Sequence, residues 1–594
     1  MAAPAYAQPD PAKGVTAQVE DPCPAPVPVA DVKEALLEGR DVIGTGLTVV
    51  TGTDPKPFQV KVLGVLTDGI GAGRDMIVFE ATDLDGETFI DKNGIWAGMS
   101  GSPVYVDGKL LGAVSYGFST SPLSIGGITP ATDMLNLLDA PAAGQSKAKT
   151  AKTVKLSASQ RKAMDARATA AVPSTLQQLR TPMAVSGLNS KRLASLQKAF
   201  DGAGRSVVVY PGGTASKTVK ATAVAPVPGG NFAAVPVYGD VTAGGVGTTT
   251  AVCGDKVLAF GHPMDFAGKV TYGAAEANSL AIIKDTTFGS YKLANIGDTY
   301  GTVDQDRLAG LRATVGAAPV TTPITSTITN LDNGKTRTGA TQVVQPDYTA
   351  AATVYGLWAN YDSTFDKWGK GLTTTAWTIK GTRAGGKAFT VSRSNMWSDL
   401  GDATFEPPFE VADAVDSLLS NEYEPVKITS VNMKSSVKSA YDQYRITKLA
   451  VSVNGGKYKN VSAITVKPKA KLKVRVTMRG YKSTVDRNVV LNLKVAKRYA
   501  KQTGTLTIQG GMSAGSDLYL DDDDLSCLLM DCNESEGSLN SIIADVNALP
   551  ANNALRADLD FNENAPGEFT PNAKTSVAAP VYGEKTIVIK VKKK

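Results

Sequence analysis

Gly94-Ile95-Trp96-Ala97-Gly98-Met99-Ser100-Gly101-Ser102-Pro103-Val104-Tyr105-Val106-Asp107-Gly108-Lys109-Leu110-Leu111-Gly112-Ala113-Val114-Ser115-Tyr116-Gly117-Phe118 reads as a glycine-flanked serine turn running straight into a tight hairpin. Asp107-Gly108 tolerates the positive φ angles of a two-residue hairpin loop, and the flanking residues have strand character. Before it, Gly98 and Gly101 permit a sharp turn that exposes the Ser100 hydroxyl. That turn also lets the N–H groups of Gly98 and Ser100 converge on an oxyanion. Pro103 and the hairpin would hold the loop still. Ser102 is a rival hydroxyl but has no glycine two residues before it. By itself, such a run is also what an ordinary Gly-Ser turn looks like.

The second decisive feature is a scarcity. The chain has 594 residues and one histidine, His262, in Leu258-Ala259-Phe260-Gly261-His262-Pro263. A serine nucleophile needs a base, and imidazole is the usual one near neutral pH. Lys256-Val257-Leu258-Ala259-Phe260 reads as a strand that delivers His262 into a turn.

Composition frames these two runs. The chain is 42% hydrophobic and 20% charged, rich in Gly, Val and Thr, which favours strands and turns. The length predicts several domains. A net charge of +6 is small for the size, and the one dense basic run is the tail Lys590–Lys594, so the chain does not read as a nucleic-acid binder. No run approaches the ~20 apolar residues of a membrane span. Ala5-Tyr6-Ala7 before Gln8 has the small-x-small form of a signal-peptidase site, and the expected location is secreted or cell-envelope associated. Four cysteines fit two disulfides, for which three connectivities exist. Proximity favours Cys527–Cys532, leaving Cys23–Cys253.

Residues 94–118 resemble the serine segment of the SpoIVB peptidase family, whose Gly-Met-Ser-Gly-Ser-Pro loop leads into such a hairpin. Residues 261–310 resemble its histidine segment: Gly261-His262 with Asp265 close behind, then Gly301-Thr302-Val303-Asp304-Gln305-Asp306-Arg307-Leu308-Ala309-Gly310. The resemblance implies a chymotrypsin-like double β-barrel, Ser100 as nucleophile and His262 as general base. In the family's sporulation peptidase the histidine segment comes first, whereas here Ser100 precedes His262, so the two halves look permuted. Triads work in several chain orders because geometry decides them. The family's acid lies shortly before the serine loop in a Thr-Asp pair. Thr82-Asp83 matches that pair and Asp85 matches the spacing better; Asp265 is the other alternative. No peptide-binding PDZ domain is recognisable.

The expected fold is mainly β, a double-barrel core with a helical insertion followed by β-sandwich-like accessory domains. The expected boundaries are an exported lead-in at 1–30, a serine half at 31–145, a helical linker at 146–205 and a histidine half at 206–320. A β-rich connecting domain at 321–425, a sandwich at 426–515 and a C-terminal region at 516–594 follow. Within the linker Ser190 is a candidate helix cap, and Ser538 is another near the C-terminus. Asp558-Leu559-Asp560-Phe561-Asn562-Glu563-Asn564 alternates oxygen ligands but lacks the glycine and final carboxylate of a calcium loop. No cofactor or metal is expected.

Two functions compete. One is an exported serine endopeptidase acting on protein or peptide substrates through an acyl-enzyme, with the narrow, signalling-type specificity that the family suggests. The other is a non-catalytic envelope protein that keeps the protease-like core as a scaffold and meets a cell-envelope partner through its C-terminal domains.

Overall fold

Alternating burial builds the first barrel. In a computed structural model describing residues 23–117, 123–140, 153–213, 225–285, 287, 289–512, 538–561 and 573–593, the chain divides into two compact units. The first holds the described residues up to Ile324 together with Ala340–Ala359, and the second holds Thr325–Gly339 and the described residues from Asn360 onward.

In the first unit, strands β1 (Ile43–Thr48), β2 (Lys56–Gly71), β3 (Arg74–Asp83), β4 (Pro103–Val106), β5 (Lys109–Gly117) and β6 (Ile125–Pro130) form a ring. Its order is β4-β1-β2-β3-β6-β5, and β5 pairs back to β4, so six strands close. Phe58, Val60 and Val62 point inward from β2 and meet Ile77 and Phe79 of β3 in one apolar cluster. The β4–β5 hairpin turns at Asp107 and Gly108, both with positive φ, as the sequence predicts.

A second ring closes later in the same unit. After β7 (Thr153–Lys155), β8 (Thr175–Gln178), β9 (Thr181–Ser186) and β10 (Val207–Pro211) come β11 (Asn231–Gly239), β12 (Thr242–Cys253) and β13 (Lys256–Ala259). β14 (Gly268–Ile283), β15 (Tyr291–Arg307) and β16 (Gly310–Val315) complete it. The order β12-β13-β16-β15-β14-β11 closes through β11–β12 pairing. Each barrel therefore comes from one contiguous stretch, which makes the order of the halves along the chain immaterial to their geometry.

The stretch expected to be a helical linker contains three short strands, β7, β8 and β9, as well as helices. Of the unit's helices α1 (Val29–Leu37), α2 (Phe89–Asn93), α3 (Ala131–Leu135), α4 (Ala158–Asp165) and α5 (Ser190–Gly202), the last two lie there. β7 and β8 extend the first sheet beyond β5, and β9 and β10 extend the second beyond β12. Strands of three to six residues carry too little alternation to show in a Lys- and Ala-rich sequence. Helix α5 is capped by Asn189, whose side chain accepts from the Arg192 N–H, one residue before the expected Ser190.

The described end of the lead-in is attached to both barrels. The N–H of Val27 donates to Leu110 and that of Leu110 to Ala25. Cys23 is bonded to Cys253, tying this segment to β12. Cys527 and Cys532 lie outside the described residues.

The second unit is also strand-rich. Gly371–Thr382 pairs antiparallel with both Ala388–Asp399 and Lys427–Lys438. A sandwich follows: a four-stranded and a five-stranded sheet share one core containing Val474, Leu491, Leu506, Leu555 and Ile589. Its second sheet draws strands Ala554–Asp560, Ala573–Ser576 and Glu584–Val591 from the expected separate C-terminal region. Asp558 and Asp560 lie on the first of these strands, while Asn562 and Asn564 lie outside the described residues. Ser538 caps its helix as expected, accepting from the Ser541 N–H. Among the described residues no helix is long and apolar enough to cross a membrane.

Candidate active site

The serine loop leaves α2 and enters β4 of the first barrel, and the histidine follows β13 of the second. Gly98 and Gly101 have φ of 99° and 96°, conformations that L side chains avoid and that make the sharp turn possible. On the other side, Phe260 and Gly261 both have positive φ. A non-glycine residue there is strained, and surrounding contacts must hold it. The Phe260 N–H donates to Thr248, and the Gly261 carbonyl accepts from Thr129 Oγ1 at 2.6 Å. Thr129 in turn meets Ser115 Oγ at 2.7 Å, so β5 and β6 of the first barrel hold the histidine turn of the second.

The serine loop is fastened to β12 in return. The Thr248 N–H donates to the Ser100 carbonyl at 2.8 Å, Thr248 Oγ1 to Gly98 at 3.0 Å, and Thr250 Oγ1 to Gly101 at 2.8 Å. Lys292 of β15 donates its N–H to the Ala97 carbonyl. Its buried Nζ donates to Asn231 Oδ1, and burial pushes that ammonium down to about 7.

These attachments bring Ser100 Oγ to 2.7 Å from His262 Nε2, within the range for proton transfer. The N–H groups of Gly98 and Ser100 donate to no partner among the described residues, as an oxyanion site requires. Ser102, the rival hydroxyl, is buried without a hydrogen-bond partner and is not paired with the imidazole.

The third position departs from expectation. His262 Nδ1 lies 2.8 Å from the carbonyl oxygen of Pro263 and 3.1 Å from Gln178 Nε2. A proton on Nδ1, donated to that carbonyl, leaves Nε2 to accept from the Ser100 hydroxyl, and the Gln178 amide then donates to the same carbonyl at 3.1 Å. In the opposite tautomer Gln178 donates to Nδ1 and no base faces the serine. Burial is complete, and it pushes the imidazole down to about 4 against the opposing hydrogen bond to Pro263.

No proposed carboxylate reaches the ring. Asp83 sits at the end of β3, where its two oxygens accept the N–H groups of Ile90 and Asp91 and cap the first turn of α2. Asp85 occupies a positive-φ turn position. Asp265 is turned away to a buried cluster in which Arg205, Tyr272 and Tyr348 all donate to it. The Thr-Asp pair is a local feature, whereas its reach to the imidazole depends on where β3 ends.

Four contributors escaped the sequence reading. Gln178, Thr129 and Thr248 carry no motif, since their roles exist only across the barrels. Asp306 lies within the quoted histidine segment, and accepts from the Met264 and Asp265 N–H groups at 2.9 and 2.7 Å, bracing the turn behind His262. Burial first, and then the charge of Asp265, push Asp306 up to about 7. Among the described residues no cluster suited to a metal ion occurs.

In comparison with known families, residues 14–135 fit the sequence model of SpoIVB peptidase S55. That span covers the serine loop and the first barrel and ends before His262. It supports a serine peptidase in general terms. No curated protein and no solved structure matches the chain.

Proposed function

We propose that the protein is an exported serine endopeptidase that cleaves protein substrates through an acyl-enzyme. The observation that carries this reading is the 2.7 Å contact between Ser100 Oγ and the only histidine in the chain. As the Ser100 oxygen attacks a peptide carbonyl, its proton passes to His262 Nε2. The carbonyl oxygen becomes an anion facing the Gly98 and Ser100 N–H groups. His262 then protonates the leaving amine, and a water deprotonated by the same nitrogen releases the acid product. The Pro263 carbonyl orients the ring through Nδ1–H, the part a carboxylate plays in a triad. A neutral carbonyl stabilises imidazolium less than a carboxylate does, which suits a slow enzyme rather than a digestive one. Export is supported by Ala5-Tyr6-Ala7 and by the Cys23–Cys253 bridge.

A second reading, a non-catalytic envelope scaffold, is favoured by one observation: none of the proposed carboxylates Asp83, Asp85 and Asp265 contacts Nδ1. A fluorophosphonate probe separates the two. Prolonged incubation with locating mass spectrometry is expected to place the adduct on Ser100. Ser100→Ala is expected to abolish it, and His262→Ala to slow it at least ~10³-fold, the scale of losing a triad member. A Ser100 that stays unlabelled in folded protein, also when the covering Leu179 is truncated to alanine, establishes the scaffold reading, and an adduct that persists in Ser100→Ala places the reactivity on another residue.

A further inference from the structure

The catalytic pair is covered: Ser100 is 2% exposed and His262 is fully buried. What lies against it is the chain itself. β8 adds antiparallel to the edge of β5, with Gln178 opposite Tyr116 and Gln177 opposite Gly117. One residue on, the Leu179 N–H donates to the Ser115 carbonyl at 3.0 Å. This edge adjoins the reaction centre. Val114 accepts from the Gly101 N–H, and a side chain at Gly261 would touch Ala113 and Ser115.

Leu179 fills a pocket. It is 5% exposed and packs in one cluster with Ile95, Trp96, Met99 and Val114 around the serine loop. Gly117 leaves the room it needs, since a Cβ there would stand 2.9 Å from Leu179 Cδ2 and 3.2 Å from Ile95 Cγ2. Past Arg180 the chain runs by the other side of the nucleophile loop. Pro182 Cγ lies 3.3 Å from where a Gly98 side chain would begin, and Met183 then pairs with Gly245 of β12. Residues 175–186 thus cross from the first barrel to the second in extended form, directly past Ser100 and His262.

That is how a peptide substrate is held: main-chain bonds to an exposed strand edge supply affinity, and a side-chain pocket beside the nucleophile supplies selectivity. We infer that residues 175–182 occupy the enzyme's own peptide cleft as an internal substrate mimic, with Leu179 in the pocket on the acyl side of the bond to be cleaved. The folded protein is therefore latent, and its substrates are extended peptides with a leucine-sized apolar side chain at that position. This rests on the peptidase reading given above. The mimic survives in place because its carbonyl is not seated for attack: neither the Gly98 nor the Ser100 N–H donates to Leu179 O. Gln178 adds a second restraint by donating to the Pro263 carbonyl that the imidazole Nδ1–H also faces.

The test measures binding first, independently of catalysis. In full-length Ser100→Ala protein, a fluorescein-labelled peptide Leu-Gln-Gln-Leu-Arg, matching residues 176–180, is titrated by fluorescence polarisation with and without Leu179→Asp. The carboxylate expels residue 179 from its apolar pocket, so binding is expected to tighten at least tenfold. The same peptide with Asp in place of its second Leu is expected not to bind. Leu179→Ala carries the same test if Leu179→Asp does not fold. Folded variants that bind no better than the parent overturn the mimic, and equal binding of the Asp peptide overturns the pocket assignment. With Ser100 restored, Leu179→Ala is expected to react with a fluorophosphonate at least tenfold faster than wild type. Tighter peptide binding without any labelling of Ser100 leaves the mimic standing and removes the peptidase reading instead.

Discussion

Replacing Gly101 by alanine tests whether the two barrels are fastened at the serine loop as described. A Cβ at this position would lie 1.9 Å from the Thr248 carbonyl oxygen and 2.5 Å from the Phe260 nitrogen. Ordinary contact starts near 3.4 Å, so β12 must retreat by about 1.5 Å. Such a movement breaks the bonds from the Thr248 N–H, Thr248 Oγ1 and Thr250 Oγ1 to the loop. At about 1 kcal/mol each they amount to about 3 kcal/mol, and a φ of 96° adds 1–2 kcal/mol, so the total is about 4–5 kcal/mol. Gly108→Ala is the matched control, because Gly108 also has positive φ but nothing within 4 Å of an added Cβ. Only the conformational cost of about 1 kcal/mol applies there. A chain with two compact units need not unfold in one transition, so the readout is hydrogen exchange of peptides covering 242–253. Gly101→Ala is expected to speed their exchange about 10³-fold and Gly108→Ala less than about tenfold. If the folded Gly101→Ala protein exchanges like the control, the fastening is not as described.

Three further outcomes follow from named contacts. Asp83→Asn is expected to cost about 1 kcal/mol through the weakened cap of α2, read as faster exchange of peptides covering 88–94, while Ser100 labelling stays within about twofold; a hundredfold loss would return Asp83 to the reaction machinery. His262 is held near 4 against an ordinary 6.5, first by burial, so the unfolded chain takes up its proton earlier. The resulting stability, about 3 kcal/mol at most, is present above pH 6.5 and lost as pH falls toward 4; exchange of peptides covering 256–264 should show that loss, and His262→Gln should flatten it. Unreduced peptide mapping is expected to recover Cys23 joined to Cys253. Replacing both by alanine should remove up to about 5 kcal/mol, given the 230-residue separation that the bridge closes, and a bridge that leaves denaturation of the first unit unchanged contradicts this.

Some of this protein is determined by residues taken in order. The hairpin at Asp107-Gly108, the strand that ends just before His262 and the glycines around Ser100 are local devices, readable because φ preferences and alternation act over a few residues. The scarcity of histidine pointed to the proposed base without any knowledge of the fold. Identity of the remaining partners was decided only in three dimensions. Asp83 matches a spacing, yet the path of β3 delivers it to α2, and a backbone carbonyl stands at His262 Nδ1 instead. A carbonyl has no sequence signature, because every residue carries one. Thr129, Thr248 and Thr250 look like ordinary strand threonines until two barrels are set side by side and their hydroxyls cross the seam. Residues 175–183 look like linker because their partners, Ser115, Gly117 and Gly245, lie far away in sequence. Strand pairing between distant segments is set by which edges the closed barrels leave open, and an open edge is a property of the folded chain alone.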